Sequence, residues 1–390
     1  MSGDGSSEVI APARAAASVA DAAELAALEA EWRDLAAGAI EPNAFYSPSL
    51  LLPALDAFPG DRPETVIIRD GAGRLIGLAP IAPLRGYSRL PAPYIATWMH
   101  KHCFFAAPLV RAGAERAFFR AFFDFADRRG AFLRLRHLDA EGPLFAAAAA
   151  VAAETGRLVS PSARYQRAML PGGWRTEAYL ESALSGKKRK ELRRQRARLS
   201  DAAPVRFESM SGGPDLDAWT DQFLALEAAG WKGREGGALA SEPASAAFFR
   251  AMMKRAGAVG ELHFCRLLAG ERPAAMGVNL ISRHSGGAAV YAFKIAYDEA
   301  LARFSPGVAL EIEMMSDLEA REAVAFIDSC AQADHPMIDH LWRDRRRIAA
   351  LNISRRDAPA KALFRILMML ERASEKARKR KPAPEADDDL

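Results

Sequence analysis

Residues 290–315 read V-Y-A-F-K-I-A-Y-D-E-A-L-A-R-F-S-P-G-V-A-L-E-I-E-M-M, and this stretch decides the fold. Large apolar side chains recur at every second position from Phe293 to Tyr297, which predicts a buried strand. Ser305-Pro306 predicts a helix start, because serine caps helices and proline suits the first helical position. A glycine-containing turn at a helix N-terminus leaves backbone N–H groups unpaired, so it predicts a site for phosphate or carboxylate. An ordinary strand–loop–helix connection is the alternative interpretation.

Composition indicates a soluble globular protein. The chain has 390 residues, of which 50% are hydrophobic and 26% charged, so two domains are expected. No apolar run approaches the ~18 residues that cross a bilayer, and residues 1–20 lack the basic start of a secretory signal. Cys103, Cys265 and Cys330 are odd in number and far apart. This spacing favours reduced thiols in a cytoplasmic protein and disfavours structural zinc.

Positive charge is concentrated in two segments. The net charge is only +4, yet residues 185–199 hold eight Lys or Arg against one acid. This segment is interpreted as a solvated face, a clamp on CoA phosphates or tRNA, or a dock for an anionic membrane. It has no interleaved aromatic residues, which makes nucleic acid an unlikely partner. Residues 360–381 join cations to an apolar face, so they either lie on the inner surface of a membrane or pack on the second domain.

The two halves repeat one order of elements: helix, helix, antiparallel strands, helix, strand, helix. We therefore predict an α/β (α+β) fold of two tandem modules, each a mixed, mostly antiparallel sheet flanked by helices. The boundary is placed in the proline- and glycine-rich residues 160–180, and a helix is predicted over residues 336–350. The predicted divisions are a disordered N-terminus (1–20), a first module (21–165), a second module (166–376) and a charged disordered tail (377–390).

Four segments carry a resemblance to a known family: S-G-K-K-R-K-E-L-R-R-Q-R-A-R-L (185–199), L-E-A-A-G-W-K-G-R-E-G (226–236), A-Y-D-E-A-L-A-R-F-S-P-G (296–307) and F-I-D-S-C-A-Q-A-D-H-P-M (326–337). With the element order, they resemble the GNAT acyltransferase fold. The similarity is closest to tandem GNAT proteins related to Fem-type peptidyltransferases, and to bacterial GNAT proteins associated with cellulose biosynthesis or lipid N-acylation.

The resemblance implies where an acyl donor lies. Acyl-CoA would be a co-substrate, with no permanently bound cofactor, and would lie between the strands at 291–298 and 325–330, which diverge in this fold. Its pyrophosphate would lie at Arg303, Phe304, Ser305, Gly307 and Val308. The family's phosphate loop is richer in glycine, whereas here only Gly307 is present.

Acyl transfer to an amine needs a base, a donor for the carbonyl oxygen and a proton for the leaving thiolate. His335 is the predicted base, since histidine titrates near pH 6.5; its alternative role is a helix N-cap. Asp328 or Asp334 could orient it. Tyr297 could protonate the thiolate or simply pack, and Cys330 could relay the acyl group or be a small buried hydrophobe.

Substrate contacts are predicted in a glycine-rich loop and on the long strand. Trp231, Lys232 and Arg234 would clamp the substrate, with an exposed loop as the alternative, and Tyr291 and Lys294 would complete the site.

The tetrapeptide H-K-H-C at 100–103 has residue types that commonly bind metal ions. No further ligands recur at suitable spacing, so no metal is predicted. The segment could instead line the cleft between the modules.

The leading hypothesis is an acyl-CoA-dependent N-acyltransferase that acts on a primary amine. Its most specific version is N-acylation of a long-chain amino lipid such as a sphingoid base, as in ceramide synthesis. A Fem-like transferase that uses aminoacyl-tRNA is one alternative. A non-catalytic scaffold in envelope or exopolysaccharide biosynthesis is the other.

Overall fold

The computed structural model describes residues 14–87, 90–284, 286–321, 323–335 and 337–380. Its strands are β1 (Ala16–Ala20), β2 (Glu64–Arg69), β3 (Leu75–Tyr87), β4 (Leu90–Thr97), β5 (Leu109–Val110), β6 (Phe132–Asp139), β7 (Val159–Pro171), β8 (Val205–Met210), β9 (Leu262–Ala269), β10 (Arg272–His284), β11 (Gly287–Tyr297), β12 (Val324–Asp328) and β13 (Asp344–Ser354).

Its α-helices are α1 (Ala22–Ala27), α2 (Glu29–Ala37), α3 (Pro48–Ala57), α4 (Glu115–Asp127), α5 (Pro143–Glu154), α6 (Thr176–Ala183), α7 (Gly186–Ala202), α8 (Leu216–Ala229), α9 (Trp231–Arg234), α10 (Pro243–Ala258), α11 (Pro306–Arg321), α12 (Ile338–Leu341) and α13 (Ala358–Arg380). Short 3-10 helices lie at Ala44–Tyr46, Pro59–Asp61, Leu239–Ser241 and Glu299–Phe304. Asp21 caps α1, because its carboxylate accepts the Glu24 backbone N–H in a capping box.

One sheet runs through both halves, in the order β1-β2-β3-β4-β6-β13-β7-β12-β11-β10-β9-β8, with β5 paired to β3. Its two parallel pairs, β4·β6 and β11·β12, occupy matching places in the two halves. The predicted mixed α/β class, with a mostly antiparallel sheet flanked by helices, is confirmed.

The two halves exchange strands at the centre of this sheet. β7 follows the first half in sequence yet pairs with β12 of the second, and β13 closes the second half yet pairs with β6 of the first. The two exchanged strands pair with each other along most of their length. The proposed boundary at residues 165–166 falls inside β7, so the segment predicted as a linker is a central strand.

Three further predictions about segments need correction. The helix predicted over residues 336–350 is wrong: α12 has only four residues, and β13 follows it. β13 is buried on both faces at the sheet centre, so it lacks the alternation that marks a half-exposed strand. Part of the expected disordered N-terminus forms β1, which pairs with β2. Part of the expected tail, residues 377–380, belongs to α13, and residues 381–390 lie outside the described residues.

Apolar helix faces cover the sheet on both sides. α4 buries Phe118, Phe119, Phe122 and Phe123 completely or almost completely, and each such side chain contributes about 1.5–3 kcal/mol to folding. On the second half, α11 packs Met314 and Leu318 against β9 and β10. This packing fixes the start of α11 beside the end of β11, where the candidate site lies.

Candidate active site

The strand β12 ends well before its parallel partner β11 in the second half. They pair in parallel from Ala288 opposite Val324 to Tyr291 opposite Asp328. β12 ends there, whereas β11 continues to Tyr297. The gap beside residues 292–297 therefore opens because β12 stops at Asp328. It is not formed by two strands that splay apart, as the family resemblance implied, because β12 is paired with β11 along its whole length.

Two cavities fill this gap. The outer cavity, of about 430 Å³, lies against Trp231, Tyr297 and the first turn of α11. The inner cavity, of about 190 Å³, lies deeper, against Lys294, Glu311 and Cys330. Both are lined by Lys232, Ile295, His335 and Met337. We call the two together the acyl cleft.

The outer cavity ends at the N-terminus of α11. Ser305 adopts a left-handed backbone conformation (φ 51°), which turns the chain from the 3-10 helix into α11. A Cβ atom added at Gly307 would lie 3.3 Å from the Met337 sulfur and 3.8 Å from the Tyr297 ring, so glycine keeps this approach open. The first backbone N–H groups of a helix have no intrahelical partner and favour an anion.

Glu311 lies one helical turn after Gly307 and lines the inner cavity. Its side chain is buried, with the residue only 8% exposed, and no described residue hydrogen-bonds to its Oε2. Burial raises the pKa of Glu311 to about 7. Sequence reasoning missed this residue, although a carboxylate on the apolar face of α11, four residues after Gly307 and three before Met314, is a signal that could have found it.

A buried carboxylate holds two lysines at the cleft. Glu227 accepts the Leu239 backbone N–H at 2.8 Å, and its Oε1 lies 3.4 Å from Lys294 Nζ and 3.6 Å from Lys232 Nζ. Lys232 also donates to the Ile295 carbonyl at 2.9 Å, on the edge of β11 that faces the gap. Burial, with help from Lys294, lowers the pKa of Lys232, and Glu227 opposes this.

His335 lines both cavities, but its geometry suits a hydrogen-bond donor better than a base. Its Nδ1 lies 3.3 Å from the Met337 N and 3.4 Å from the Ile338 N, so it accepts their N–H groups at the start of α12. The neutral ring therefore carries its proton on Nε2. Burial lowers the pKa of His335, and the charge of Lys232 acts in the same direction, against Asp339.

Asp328 does not orient His335, contrary to the prediction. It is fully buried, and its Oδ2 lies 2.6 Å from Arg167 and 2.8 Å from Arg346. Its Oδ1 accepts the Cys330 backbone N–H. Burial alone would raise the pKa of Asp328, but the two arginines outweigh it and hold the pKa below its ordinary value. This carboxylate joins β12 to the exchanged strands β7 and β13.

Tyr291 differs from its predicted role, and Cys330 fits the second of its two predicted roles, a small buried side chain. Tyr291 is fully buried and its hydroxyl donates to the Pro42 carbonyl at 2.5 Å, so it joins the two halves rather than binding substrate. Cys330 lines the inner cavity, but burial raises the pKa of its thiol well above the ordinary value. A protonated thiol is a poor nucleophile, so the predicted acyl relay is disfavoured.

The remaining predicted residues lie at the rim or outside the cleft. Arg234 pairs with Glu299 at 2.8 Å, and Glu299 also accepts the Trp231 backbone N–H. Arg303 is exposed, with its guanidinium 4.7 Å from the centre of the Phe304 ring. Of the residues predicted to hold the donor phosphates, Ser305, Gly307 and Val308 line the outer cavity, whereas Arg303 and Phe304 do not.

The histidines at 100 and 102 pack in the interface between the halves. His100 stacks on Phe58, His102 stacks on Phe248, and His102 Nε2 lies 2.9 Å from Ser245 Oγ. Among the described residues, no group of three or more His, Cys, Asp or Glu side chains could hold a metal ion. No helix of the described chain is both long enough and apolar enough to cross a bilayer.

Comparisons with known proteins agree with this geometry. Residues 186–335 match the family described as the acetyltransferase (GNAT) domain. None of the curated proteins compared with the chain matches it in sequence. Among solved structures, the chain is similar to a C-terminal domain assigned to a lysylphosphatidylglycerol synthetase from Agrobacterium fabrum, at 12% identity and a TM-score of 0.53, over 88% of this chain and 96% of that one.

A conserved protein of unknown function from Bacteroides thetaiotaomicron is similar to the same degree. It shares 12% identity and a TM-score of 0.53, over 84% of this chain and 97% of that one. At this identity the two likenesses show the fold alone. The residues that match the acetyltransferase (GNAT) domain, 186–335, contain the acyl cleft's strands and the N-terminus of α11.

Proposed function

We propose that this protein transfers an acyl group from acyl-CoA to a primary amine in the acyl cleft. The observation that carries the proposal is the Glu311 carboxyl, buried and unpartnered at Oε2 among the described residues, at the inner end of the gap that opens beside β11 where β12 ends. Its pKa of about 7 suits a general base at neutral pH.

The donor would lie along the gap. Its pyrophosphate would accept the free N–H groups at Gly307 and Val308, and its thioester would reach the inner cavity beside β11. The ammonium groups of Lys232 and Lys294 would stabilise the negative charge that develops on the carbonyl oxygen. His335 would donate Nε2–H to the substrate.

The reaction would proceed by direct attack. The amine nitrogen bonds to the thioester carbonyl carbon, Glu311 takes the proton that this nitrogen loses, and the C–S bond breaks. The CoA thiolate leaves and receives a proton; Tyr297, at the wall of the outer cavity, is our candidate donor. The products are an amide and free CoA. Glu311 then returns its proton to solvent, and Tyr297 takes one proton back from solvent, so both side chains regain their starting states.

The acceptor is proposed to be a long-chain amino lipid, such as a sphingoid base, at the cytoplasmic leaflet of the inner membrane. Support comes from α13, which packs Phe364, Leu367 and Met368 inward. It exposes three further apolar side chains, Leu363, Ile366 and Met369, at 38%, 50% and 63%. Cations flank this exposed face at Lys361, Arg365 and Arg372. An apolar face beside cations fits the surface of an anionic membrane.

The test is to incubate the purified protein with acetyl-, octanoyl- and palmitoyl-CoA and a panel of amines that includes sphinganine, and to measure free CoA and amide. We expect amine-dependent CoA release that Glu311→Gln abolishes and Glu271→Gln, on an exposed turn, does not. Absence of CoA release with every pair refutes the proposal. Activity only with aminoacyl-tRNA would assign the cleft to Fem-like transfer.

A further inference from the structure

A chain of hydrogen bonds runs from α11 to a side chain at the wall of the inner cavity. Asp317 Oδ2, on α11, lies 2.8 Å from His263 Nε2 on β9. His263 Nδ1 in turn lies 3.1 Å from Asn279 Nδ2 on β10. Asn279 lines the inner cavity, yet the acyl transfer proposed above uses none of these three residues.

The chain is buried where it meets the cavity. His263 and Asn279 are only 2% and 4% exposed. Asp317 also accepts from Arg321 Nε at 2.9 Å and from Ser209 Oγ at 2.8 Å. Burial alone would raise the pKa of Asp317, but the hydrogen bonds from His263, Arg321 and Ser209 outweigh it and hold the pKa well below its ordinary value. Asp317 is therefore a carboxylate at neutral pH, and a carboxylate only accepts hydrogen bonds.

This carboxylate sets the orientation of the Asn279 amide. His263 gives its Nε2 proton to Asp317, so its Nδ1 has no proton and is an acceptor. An asparagine can donate to that nitrogen only through its NH2 group, which is the group that faces it. The amide oxygen of Asn279 is therefore turned away from His263.

The pairing of the strands directs this oxygen toward the inner cavity. Asn279 lies directly opposite His263 of β9 on one side and opposite Ala292 of β11 on the other. Because Nδ2 faces β9, Oδ1 faces β11, whose Ala292 lines the inner cavity. The amide oxygen of Asn279 is thus held at the wall of the space where the amine would react.

An acceptor oxygen at this wall suits an amine. Lys232, Lys294 and His335 present N–H donors to the inner cavity. Two side chains of its described lining carry an oxygen that only accepts, namely ionised Glu311 and Asn279. A neutral primary amine that attacks with its lone pair has two N–H groups to place. One can point to Glu311, which takes that proton, and the other to Asn279 Oδ1.

We infer that Asn279 binds the acceptor amine through its amide oxygen, that His263 and Asp317 are positioning residues for this amide, and that the site therefore selects primary over secondary amines. The inference rests on the proposed function and deepens it. The hydrogen that points to Asn279 stays on nitrogen and becomes the N–H of the product amide. A secondary amine has a single N–H, which must point to Glu311, so it would leave the Asn279 oxygen without a partner.

The experiment compares a primary amine with its N-methyl derivative. Sphinganine and N-methylsphinganine are the first pair; if another amine gives the highest turnover in the acyl-transfer assay, that amine and its N-methyl derivative replace them. The ratio of the two kcat/KM values is measured from free CoA and amide, in the wild type and in each variant, and urea midpoints report on stability.

The variants separate a hydrogen bond from steric exclusion. Asn279→Leu keeps the branched shape of asparagine but has no acceptor, whereas Asn279→Asp keeps an oxygen. His263→Leu removes the group that fixes the amide. Asn352→Leu is the matched control, because this buried asparagine donates to Ser160 and Ser162 at the sheet centre and is not part of the cavity lining.

We expect the wild type to prefer the primary amine by about tenfold, as loss of one hydrogen bond to a buried oxygen implies. Asn279→Leu should remove this preference, because it lowers kcat/KM for the primary amine and leaves that for the N-methyl amine nearly unchanged. Asn279→Asp should keep the preference. His263→Leu should weaken it, since the amide is then free to turn, and Asn352→Leu should keep it even where its urea midpoint falls.

Three results overturn the inference and leave the proposed function standing, because CoA is still released in each. The first is an equal kcat/KM for both amines in the wild type, which needs no variant and decides the matter even if Asn279→Leu does not fold. The second is a preference that Asn279→Leu retains, which assigns the selectivity to steric exclusion. The third is a ratio that His263→Leu changes no more than Asn352→Leu does. Absence of CoA release with every amine overturns the inference and the proposed function together.

Discussion

Replacing Glu311 by glutamine should remove most of the activity and, at the same time, make the protein more stable at alkaline pH. The two effects share one cause. Burial raises the pKa of Glu311 from its ordinary 4.5 to about 7, so the same desolvation that prepares the carboxylate as a base also destabilises the fold once the carboxylate ionises.

The magnitude of the stability effect follows from the pKa. An unfolded glutamate loses its proton near pH 4.5 and the folded one near 7. Over this window the folded state binds more protons, so stability falls as pH rises. One pKa unit corresponds to about 1.36 kcal/mol, and ionisation of Glu311 therefore costs roughly 3 kcal/mol above pH 7. Glutamine cannot ionise, so Glu311→Gln avoids this cost.

The assay is urea unfolding of the wild type, Glu311→Gln and the control Glu271→Gln at pH 5 and pH 8. The difference in unfolding free energy between Glu311→Gln and the wild type should increase by roughly 3 kcal/mol from pH 5 to pH 8. The control should follow the wild type. In parallel, kcat/KM should fall by about 10²–10⁴-fold in Glu311→Gln, the usual contribution of a general base.

The pH profile distinguishes a base from a merely structural residue. The wild-type kcat/KM should rise with pH through a midpoint near 7, and this limb should vanish in Glu311→Gln. A variant that keeps the wild-type rate and profile, or a stability difference that does not change with pH, contradicts the reasoning.

Three further predictions follow from the site and the surface. Asp328→Asn should lower the unfolding free energy by about 3–5 kcal/mol, because it leaves the buried Arg167 without an ionised partner among the described residues and removes one of the three carboxylates that pair with Arg346; a urea midpoint equal to the wild type's would contradict this. Cys330→Ser should keep kcat within about threefold of the wild type's, because burial raises the pKa of the thiol and a protonated thiol is a poor nucleophile. Complete loss of turnover in a folded variant would instead support the acyl-relay role of Cys330. The double variant Ile366→Ser and Met369→Ser should sediment less with vesicles of phosphatidylglycerol but keep its melting temperature, because both side chains are exposed; unchanged sedimentation would exclude this face from the membrane.

The sequence predicts the fold well where elements are amphipathic. The strand at 290–297 and the helix after Ser305 show clear periods of two and 3.6, and both are present as β11 and α11. β13 and β7 were not predicted as strands, because neither segment shows such a clear hydrophobic period. Both lie at the centre of the sheet. The prolines of β7 indicated a module boundary, although Pro161 lies opposite Leu351 of β13 and Pro171 opposite Phe326 of β12.

The candidate site was predicted in place but not in detail. The first turn of α11 follows from local sequence, whereas the position of the gap beside β11 was implied by the family resemblance alone. The partners of Asp328 could not be predicted, because Arg167 and Arg346 are separated from it by 161 and 18 residues and reach it only through the exchanged strands. Glu311 was overlooked because helical glutamates are usually solvated.

The exchange of β7 and β13 also determines when the protein can become active. During synthesis, the strands that line the acyl cleft leave the ribosome before β13 does. Until β13 emerges, the edges of β6 and β7 that pair with it are unpaired, and unpaired strand edges can associate with other chains. Only the last strand brings Arg346 to Asp328, beside Cys330 at the wall of the inner cavity. Completion of the candidate pocket is thus coupled to translation of residues 344–354, and we expect a nascent chain released before that point to be prone to aggregate.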